Sequence, residues 1–202
     1  MDSKKSREDD MKRSQAGFTL MEIMVATAIF AILSAIAIPN YIGWLPGHRL
    51  RSAAADIRSN MQLAKMQAIK DNRYYAVVFN SGAGTYQIVD CGVDGTYNTA
   101  DDQVLKTVNL TEYGSGVTYG YGNATTNATT SGGSLPADFV SYSVPADNVA
   151  MFAPTGLAQT ATGAFSSGYV YIANNRNQTC AVGTNTVAGN IVVRYWSSGA
   201  WN

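Results

Sequence analysis

The side chain with the clearest chemical consequence in this 202-residue sequence is Glu22. It is the one ionisable residue between Phe18 and Ile38, a run otherwise made of apolar and small residues. A lone carboxylate in such a run is expensive to hold in a membrane and is by default a functional hypothesis. A cation four residues away on the same helix, or on a neighbouring helix, would neutralise it. The alternative is an ordinary membrane anchor with a stray glutamate.

A second chemical candidate is the acidic, glycine-containing segment at residues 90–102. Its carboxylates belong to Asp90, Asp94, Asp101 and Asp102. Carboxylate oxygens on a loop are the hard ligands that calcium prefers. The spacing departs from that of an EF-hand, and the closing glutamate is missing. The segment therefore predicts either a calcium site or a solvated acidic turn that is stabilised by Asx-type hydrogen bonds.

The sequence has two cysteines, Cys91 and Cys180. They form no C-x-x-C motif and have no histidine partner, which argues against zinc binding and thioredoxin-like chemistry. Outside the cytoplasm an oxidising setting favours a disulfide between them. Closing a loop of about ninety residues would contribute on the order of 4 kcal/mol by the chain-entropy model. Two free buried thiols are the alternative.

Motifs of catalysis are missing from the sequence. It contains no G-x-S-x-G, no H-E-x-x-H, no Walker A sequence and no G-x-G-x-x-G that leads into a helix. His48, the single histidine, is accompanied by no nucleophile motif and is expected to be solvated or interfacial. We therefore expect a protein that is not an enzyme.

The element that positions Glu22 is the apolar segment at residues 18–39. As a helix it is roughly 31 Å long, enough to span the core of a bilayer. A basic flank at residues 12–13 precedes it and predicts that the remainder of the chain lies outside the cytoplasm. The small residue Gly17 stands before the apolar run, so a cut there would leave the hydrophobic segment on the mature protein. The start codon could be Met1 or Met11.

Residues 40–73 are predicted to form a kinked linker and an amphipathic helix. The first part holds helix-weakening residues, Pro39, Gly43, Pro46 and Gly47, and should be bent or locally unwound. A helix then follows to residue 72. Its apolar residues recur at spacings of three and four, at Leu50, Ala54, Ile57, Met61, Ala64 and Ala68. Six basic and two acidic residues give its outer face a net charge of +4.

Residues 74–202 change to period-two patterns of β-branched and aromatic residues. Strands are predicted at 74–79, 85–89, 104–110, 117–121, 139–144, 149–152, 168–173 and 190–196, with a hairpin turn at 81–84. The polar, low-complexity stretch at 122–133 is expected to be a mobile loop. One long helix followed by strands predicts an α+β fold, with an antiparallel sheet packed on the amphipathic helix.

The N-terminal segment resembles the class III signal of type IV pilins and type II secretion pseudopilins. The matching residues are Gly17, Phe18, Thr19, Leu20, Glu22 and Pro39. The resemblance implies that residues 1–17 are a leader, that prepilin peptidase cleaves after Gly17 and that Phe18 is N-methylated. Glu22 would then pair with the new amine of its own or a neighbouring helix and set the axial register of a filament. Pro39 would be the family's helix-kinking proline.

The β-rich part resembles the GspH/FimT group of minor pseudopilins and pilins. The resemblance lies in residues 152–156, in the late strand at 191–194, in Gly199 and in the amphipathic helix. It implies a pilin-like fold and a minor pseudopilin of a type II secretion system. Such a subunit sits in the inner membrane, has a periplasmic domain, and contacts membrane lipid, other subunits and an assembly platform. The alternative is a minor pilin of a type IV pilus, acting in assembly priming, adhesion or DNA uptake.

The charge of the β-rich part argues against nucleic acid as a partner. After residue 74 there are three basic and seven acidic residues, a net charge of −4, which is the wrong sign for phosphate contacts. DNA-binding members of the group have an arginine in the tail after the final glycine. The tail here, residues 199–202, has none.

Overall fold

A computed structural model of the protein describes residues 17–114, 116–129 and 133–202. Within these ranges the chain forms one long α-helix, a short 3-10 helix and nine strands. The chain divides into two compact units, Met1–Gly43 and Trp44–Asn202. Of the predicted leader, residues 1–16 lie outside the described part.

Helix α1 (Leu20–Asp71) supplies one wall of the core with its second half. All six residues of the predicted apolar stripe are buried, together with Ala53 and the polar Asn60. The helix ends where Asn72 adopts a left-handed conformation, with φ of 51°. The Arg73 amide then donates to the Ala68 carbonyl at 3.2 Å, which closes the last turn. The predicted helix end is therefore confirmed.

The first sheet has four antiparallel strands in the order β3-β2-β1-β5. Its strands are β1 (Tyr75–Asn80), β2 (Thr85–Asp90), β3 (Gln103–Asn109) and β5 (Val149–Phe152). Strands β1 and β2 form the predicted hairpin, in which Asn80 lies opposite Thr85. A 3-10 helix, Leu110–Tyr113, follows β3. The predictions for these four strands are confirmed to within a residue or two.

The second sheet has five antiparallel strands in the order β4-β6-β7-β8-β9. Its strands are β4 (Thr118–Tyr119), β6 (Gly168–Ala173), β7 (Thr179–Thr184), β8 (Ile191–Ser197) and β9 (Ala200–Trp201). Strand β6 has the predicted bounds, whereas β7 and β9 were not predicted. The strand predicted at 139–144 is wrong, since that segment makes one isolated bridge, from Val140 to Val170. Phe139 has φ of 61°, which lies outside the extended region that a strand requires.

One apolar core lies between the second half of α1 and both sheets. Ile57 and Met61 of the helix join a buried cluster with residues such as Phe79 of β1 and Val182 of β7. Each fully buried side chain of this size stabilises the fold by roughly 1.5–3 kcal/mol. The predicted packing of the amphipathic helix on an antiparallel sheet is confirmed, and the fold is α+β.

The stretch predicted as a mobile loop packs on the second sheet where the structure describes it. Ala128 is fully buried, and its amide donates to the Tyr171 hydroxyl at 2.8 Å. The indole N–H of Trp201 donates to the Thr126 carbonyl at 2.8 Å. These contacts hold residues 126 and 128 against β6 and β9. Polar composition alone therefore does not identify a mobile loop.

Candidate functional site

The N-terminal helix begins with a threonine N-cap, which the sequence analysis did not predict. Thr19 stands immediately before α1, and its Oγ1 accepts a hydrogen bond of 3.2 Å from the Glu22 amide. Thr19 and Glu22 have the threonine-x-x-glutamate spacing of a capping box, and the hydrogen bond made by the threonine is present. Glu22 therefore lies in the first turn, where the helix dipole favours a negative charge.

The Glu22 carboxylate has no salt bridge within the described ranges of the chain. Phe18, the predicted new N-terminus, is 77% exposed two residues before the helix. Its nitrogen is a peptide nitrogen here, because Gly17 precedes it. Cleavage after Gly17, methylation of Phe18 and pairing of its amine with Glu22 stay predictions.

The first half of α1 presents an apolar surface that nothing covers in the described chain. Leu20 is 79% and Phe30 69% exposed, and the large side chains from Met21 to Ile42 are exposed in the same way. By length and composition the helix is able to cross a membrane. An apolar patch of this extent requires lipid or other apolar surfaces around it.

The predicted unwound stretch around residues 40–47 is wrong. Helix α1 is continuous through Pro39, Pro46 and Gly47. A proline removes one backbone hydrogen bond and crowds the preceding turn. In a long helix the neighbouring backbone hydrogen bonds are enough to keep these residues helical. A kink at Pro39 stays a prediction. His48 is exposed and lies beside Trp44, with ring centroids 4.6 Å apart, as expected of a solvated histidine.

The basic residues of the amphipathic helix do not share one outer face. The Lys65 ammonium donates to the carbonyls of Ala188 at 2.8 Å and Gly189 at 3.1 Å. Arg73, just beyond the helix, forms an ion pair of 3.4 Å with Asp90. Arg51 and Arg58 are exposed beside β8. The predicted cluster of charge is thus divided among separate contacts.

The acidic segment is organised by hydrogen bonds to its own backbone. Asp94 accepts from the Thr96 amide at 2.7 Å, Asp101 from the Val93 amide at 2.8 Å, and Asp102 from the Asn98 amide at 2.7 Å. Hydrogen bonds from Thr99 and the Val93 amide lower the pKa of Asp101. Asp90 forms the ion pair with Arg73 and also accepts from the Gly92 amide at 3.0 Å.

The geometry of this segment is that of the Asx-stabilised turn, the alternative to a calcium site. Across the described residues no group of three or more His, Cys, Asp or Glu side chains is arranged to hold a metal ion. The four predicted carboxylates are therefore not brought together as one ligand set. Calcium binding here stays a prediction with no support from the geometry.

The predicted disulfide between Cys91 and Cys180 is wrong. Both cysteines are free and buried. Cys91 packs in a small cluster that includes Val89 and Met151, whereas Cys180 belongs to the main core. Burial raises the pKa of each thiol to about 12. The alternative of two buried thiols is what the structure shows.

A polar network between α1 and the first sheet was not anticipated. Asp56 accepts hydrogen bonds from the hydroxyls of Tyr86, at 3.0 Å, and Tyr113. Asn60 donates to Asp56 at 2.9 Å and to Tyr86 at 2.7 Å, and accepts from Lys106 at 2.9 Å. Tyr86, Lys106 and Tyr113 are distant in sequence from the helix, so periodicity gave no signal for their contacts. The network fastens the helix to β2 and β3.

Comparisons with known proteins match both parts of the chain. Residues 12–38 match the prokaryotic N-terminal methylation motif, and residues 53–194 match the type II transport protein GspH. A fimbrial protein of Dichelobacter nodosus is 35% identical over 121 residues, 52% of this chain and 71% of that protein. The type II secretion system core protein G of Aeromonas hydrophila is 36% identical over 63 residues, 31% of this chain and 44% of that protein.

Two solved structures are similar in fold. The minor pseudopilin EpsH from the type 2 secretion system of Vibrio cholerae has a TM-score of 0.46 and 10% identity, covering 72% of this chain and 95% of that one. The type IV minor pilin FimU of Pseudomonas aeruginosa has a TM-score of 0.42 and 12% identity, covering 77% of this chain and 93% of that one.

The N-terminal methylation motif and the exposed apolar helix occupy the same part of the chain. This coincidence indicates single-pass membrane anchoring with the globular part outside. Pilins and pseudopilins are structural, non-enzymatic subunits that assemble with other subunits of their kind. With a family model matched over residues 53–194, the chain belongs to the type II transport protein GspH family of pilin-like proteins.

Proposed function

We propose that the chain is a minor pseudopilin of a type II secretion system. It is anchored in the inner membrane by the apolar part of α1, with its globular unit in the periplasm. It assembles through that helix into a filament that drives protein export. The observation that carries the proposal is the GspH match at residues 53–194 behind an N-terminal methylation motif.

Processing by prepilin peptidase after Gly17 is part of this proposal. The geometry of the junction supports it, because Gly17 and Phe18 are exposed and precede the first turn of α1. Among the residues that the structure describes, none would lie within 4 Å of a Cβ atom at Gly17. Cleavage would free the Phe18 amine for methylation and leave the apolar surface of α1 on the mature subunit.

Assembly through α1 follows from its exposed surface and from Glu22. Lipid covers the apolar side chains in the membrane, and the helices of other subunits cover them in a filament. The Glu22 carboxylate then enters an apolar environment, where a buried charge is tolerated only when it is paired. The Phe18 amine of a neighbouring subunit is the cation we assign to it. An inner-membrane platform would deliver the subunit into place.

The second candidate is a minor pilin of a type IV pilus. The observation that favours it is the 35% identity to the Dichelobacter nodosus fimbrial protein, whose match covers 71% of that protein. The N-terminal segment serves both kinds of filament and does not separate them. Nucleic acid is not among the partners we propose, given the net charge of −4 after residue 74.

A deletion strain tests the two functions against each other. Surface pili, twitching motility and the extracellular protein profile are scored together, with wild-type complementation as the control. Lost secretion with normal pili supports the pseudopilin. Lost pili or motility with normal secretion makes the chain a minor pilin instead. Loss of neither overturns both proposals.

A further inference from the structure

Strand β8 has an edge that β9 covers only at one end. Tyr195 and Asn202 exchange two backbone hydrogen bonds, of 2.9 and 3.0 Å, and the pairing continues through Ser197. Alternate residues of an antiparallel strand direct their backbone groups to the same side. The N–H and C=O of Val193 therefore face the edge that Tyr195 uses. In the described chain no backbone or side-chain hydrogen bond engages them there.

Two cavities lie between α1 and β8. One, of about 430 Å³, is at the open edge and is lined by Ala55, Arg58 and Val193, among others. The other, of about 510 Å³, lies toward the end of β8 that β9 covers, and its lining includes Arg51, Cys180 of β7 and Trp196. Tyr195 lines both cavities, and we call the two together the α1–β8 groove.

The groove carries positive charge that the chain itself leaves unpaired. Arg51 and Arg58 are exposed, and neither has an ion pair or hydrogen bond to another residue in the described ranges. Seven positions apart on one helix, they are separated by roughly 10 Å along its axis. Burial raises the pKa of Tyr195, and the charges of both arginines oppose that rise. The positive charges of both guanidinium groups therefore reach Tyr195, which lines both cavities.

We propose that the α1–β8 groove binds an extended, carboxylate-bearing segment of another polypeptide. The segment adds as a strand to the open edge at Val193 and places its acidic side chains against Arg51 and Arg58. Main-chain hydrogen bonds supply affinity in this mode, and side-chain contacts supply specificity. The inference concerns the globular unit alone and does not depend on the proposed function.

A polypeptide fits these features better than a nucleic acid does. An added strand supplies alternating N–H and C=O groups to the Val193 edge, which a sugar-phosphate backbone cannot do. The net charge of −4 after residue 74 also repels a polyanion longer than the groove. A short acidic strand meets the two arginines without extending over that acidic surface.

The first test uses the full chain in detergent micelles and a fluorescein-labelled peptide that alternates aspartate with valine. Fluorescence polarisation should show saturable binding that weakens with salt. The double variant R51E/R58E should weaken it by at least about tenfold. Lys70→Glu reverses a charge of the same helix outside the groove and should leave the affinity unchanged. No peptide binding, or equal binding by R51E/R58E, would overturn the proposal.

The second test separates strand addition from charge attraction alone. Two versions of the peptide are N-methylated at alternate amides, one on each edge, which removes donors and keeps every carboxylate. Binding should be lost for one version and retained for the other, and exchange of the Val193 amide should slow in the complex. Equal binding of both versions, or tighter binding of a single-stranded oligonucleotide of matched charge, would contradict strand addition.

Discussion

The hydroxyl of Tyr86 donates a hydrogen bond of 3.0 Å to the carboxylate of Asp56. This contact joins the middle of α1 to the second strand of the first sheet. Tyr86 is fully buried, and burial raises the pKa of its hydroxyl, so the group stays a donor at physiological pH. The contact explains how an acidic residue on the flank of the apolar stripe contributes to the fold.

Removing Asp56 should destabilise the globular unit. Asp56→Ala takes the acceptor from both Tyr86 and Tyr113, and we expect the free energy of unfolding to fall by about 2–3 kcal/mol. Urea denaturation measures the change. A double-mutant cycle with Tyr86→Phe should show coupling of about 1 kcal/mol. Glu112→Ala, which removes an exposed carboxylate, is the control, and an equal loss there would contradict the assignment.

Lys65 should anchor the turn that leads into β8. Its ammonium group donates to two main-chain carbonyls, at Ala188 and Gly189. Lys65→Met keeps most of the aliphatic chain and removes the donors, so we expect a loss of about 1–2 kcal/mol and faster amide exchange in residues 186–190. Lys70→Met on the same helix should change neither. Unaltered exchange in the turn would show that the lysine does not hold it.

Gly183 should tolerate no side chain. A Cβ atom there would lie 1.9 Å from the Gly168 carbonyl oxygen, which is backbone of the adjacent strand β6 and cannot move aside. We expect Gly183→Ala to lower the free energy of unfolding by at least about 3 kcal/mol. In Gly82→Ala the nearest atom is 3.8 Å away, and thermal unfolding should be nearly unchanged. Similar melting temperatures for the two variants would refute this.

Stability should fall in alkaline solution, in part because of the two thiols. The folded pKa of Cys91 and of Cys180 is about 12, above the ordinary value of about 8.5. The folded chain keeps protons that the unfolded chain releases, so this stabilisation is complete below about pH 8.5 and is lost as the pH rises toward 12. Urea midpoints measured across this window should decline.

A variant with both cysteines replaced by alanine separates the thiols from the buried tyrosines. It should start from lower stability, since two core side chains become smaller. Its stability should then fall less steeply with pH than that of the wild type. The same steepness in both proteins would show that the tyrosines alone cause the decline.

Glu22 should matter for assembly and not for insertion. Glu22→Ala removes the charge that we pair with the Phe18 amine, so incorporation into filaments should fall severalfold while membrane insertion and leader cleavage continue. Sheared filament fractions and the mass of the mature chain measure the two effects. Glu22→Gln keeps the shape without the charge and should behave like Glu22→Ala. Normal incorporation of either variant would contradict the proposal that Glu22 sets the axial register of the filament.

Sequence patterns correctly predicted the amphipathic helix and several of the strands that face one continuous apolar core. The stripe from Leu50 to Ala68 repeats at helical spacing because one continuous core faces it. Strands β5 and β6 have their predicted bounds, since both are short apolar runs between turn residues. The N-cap at Thr19 has a sequence signal, the threonine-x-x-glutamate spacing before an apolar run, although it was not predicted.

The remainder depends on contacts that no local pattern records. Strand β7 is buried on both faces and mixes threonine, alanine and glycine, so it shows neither alternation nor a strongly apolar run. The two tyrosine partners of Asp56, Tyr86 in β2 and Tyr113 in the 3-10 helix, come from far along the chain. Cys91 and Cys180 are apart because they pack in two different clusters. The disulfide was predicted from the oxidising setting outside the cytoplasm, which says nothing about the distance between two cysteines.

The apolar character of β1 on both faces has a consequence for how the first hairpin finds its alignment. From Tyr75 to Phe79 the strand lacks the polar alternation that normally penalises a slip by one residue. The turn supplies the missing specification, where the Asn80 side chain accepts from the Ala83 amide at 3.0 Å and the Gly84 carbonyl accepts from Leu110 at 2.9 Å. The register of β1, β2 and β3 therefore depends on the four-residue turn between β1 and β2.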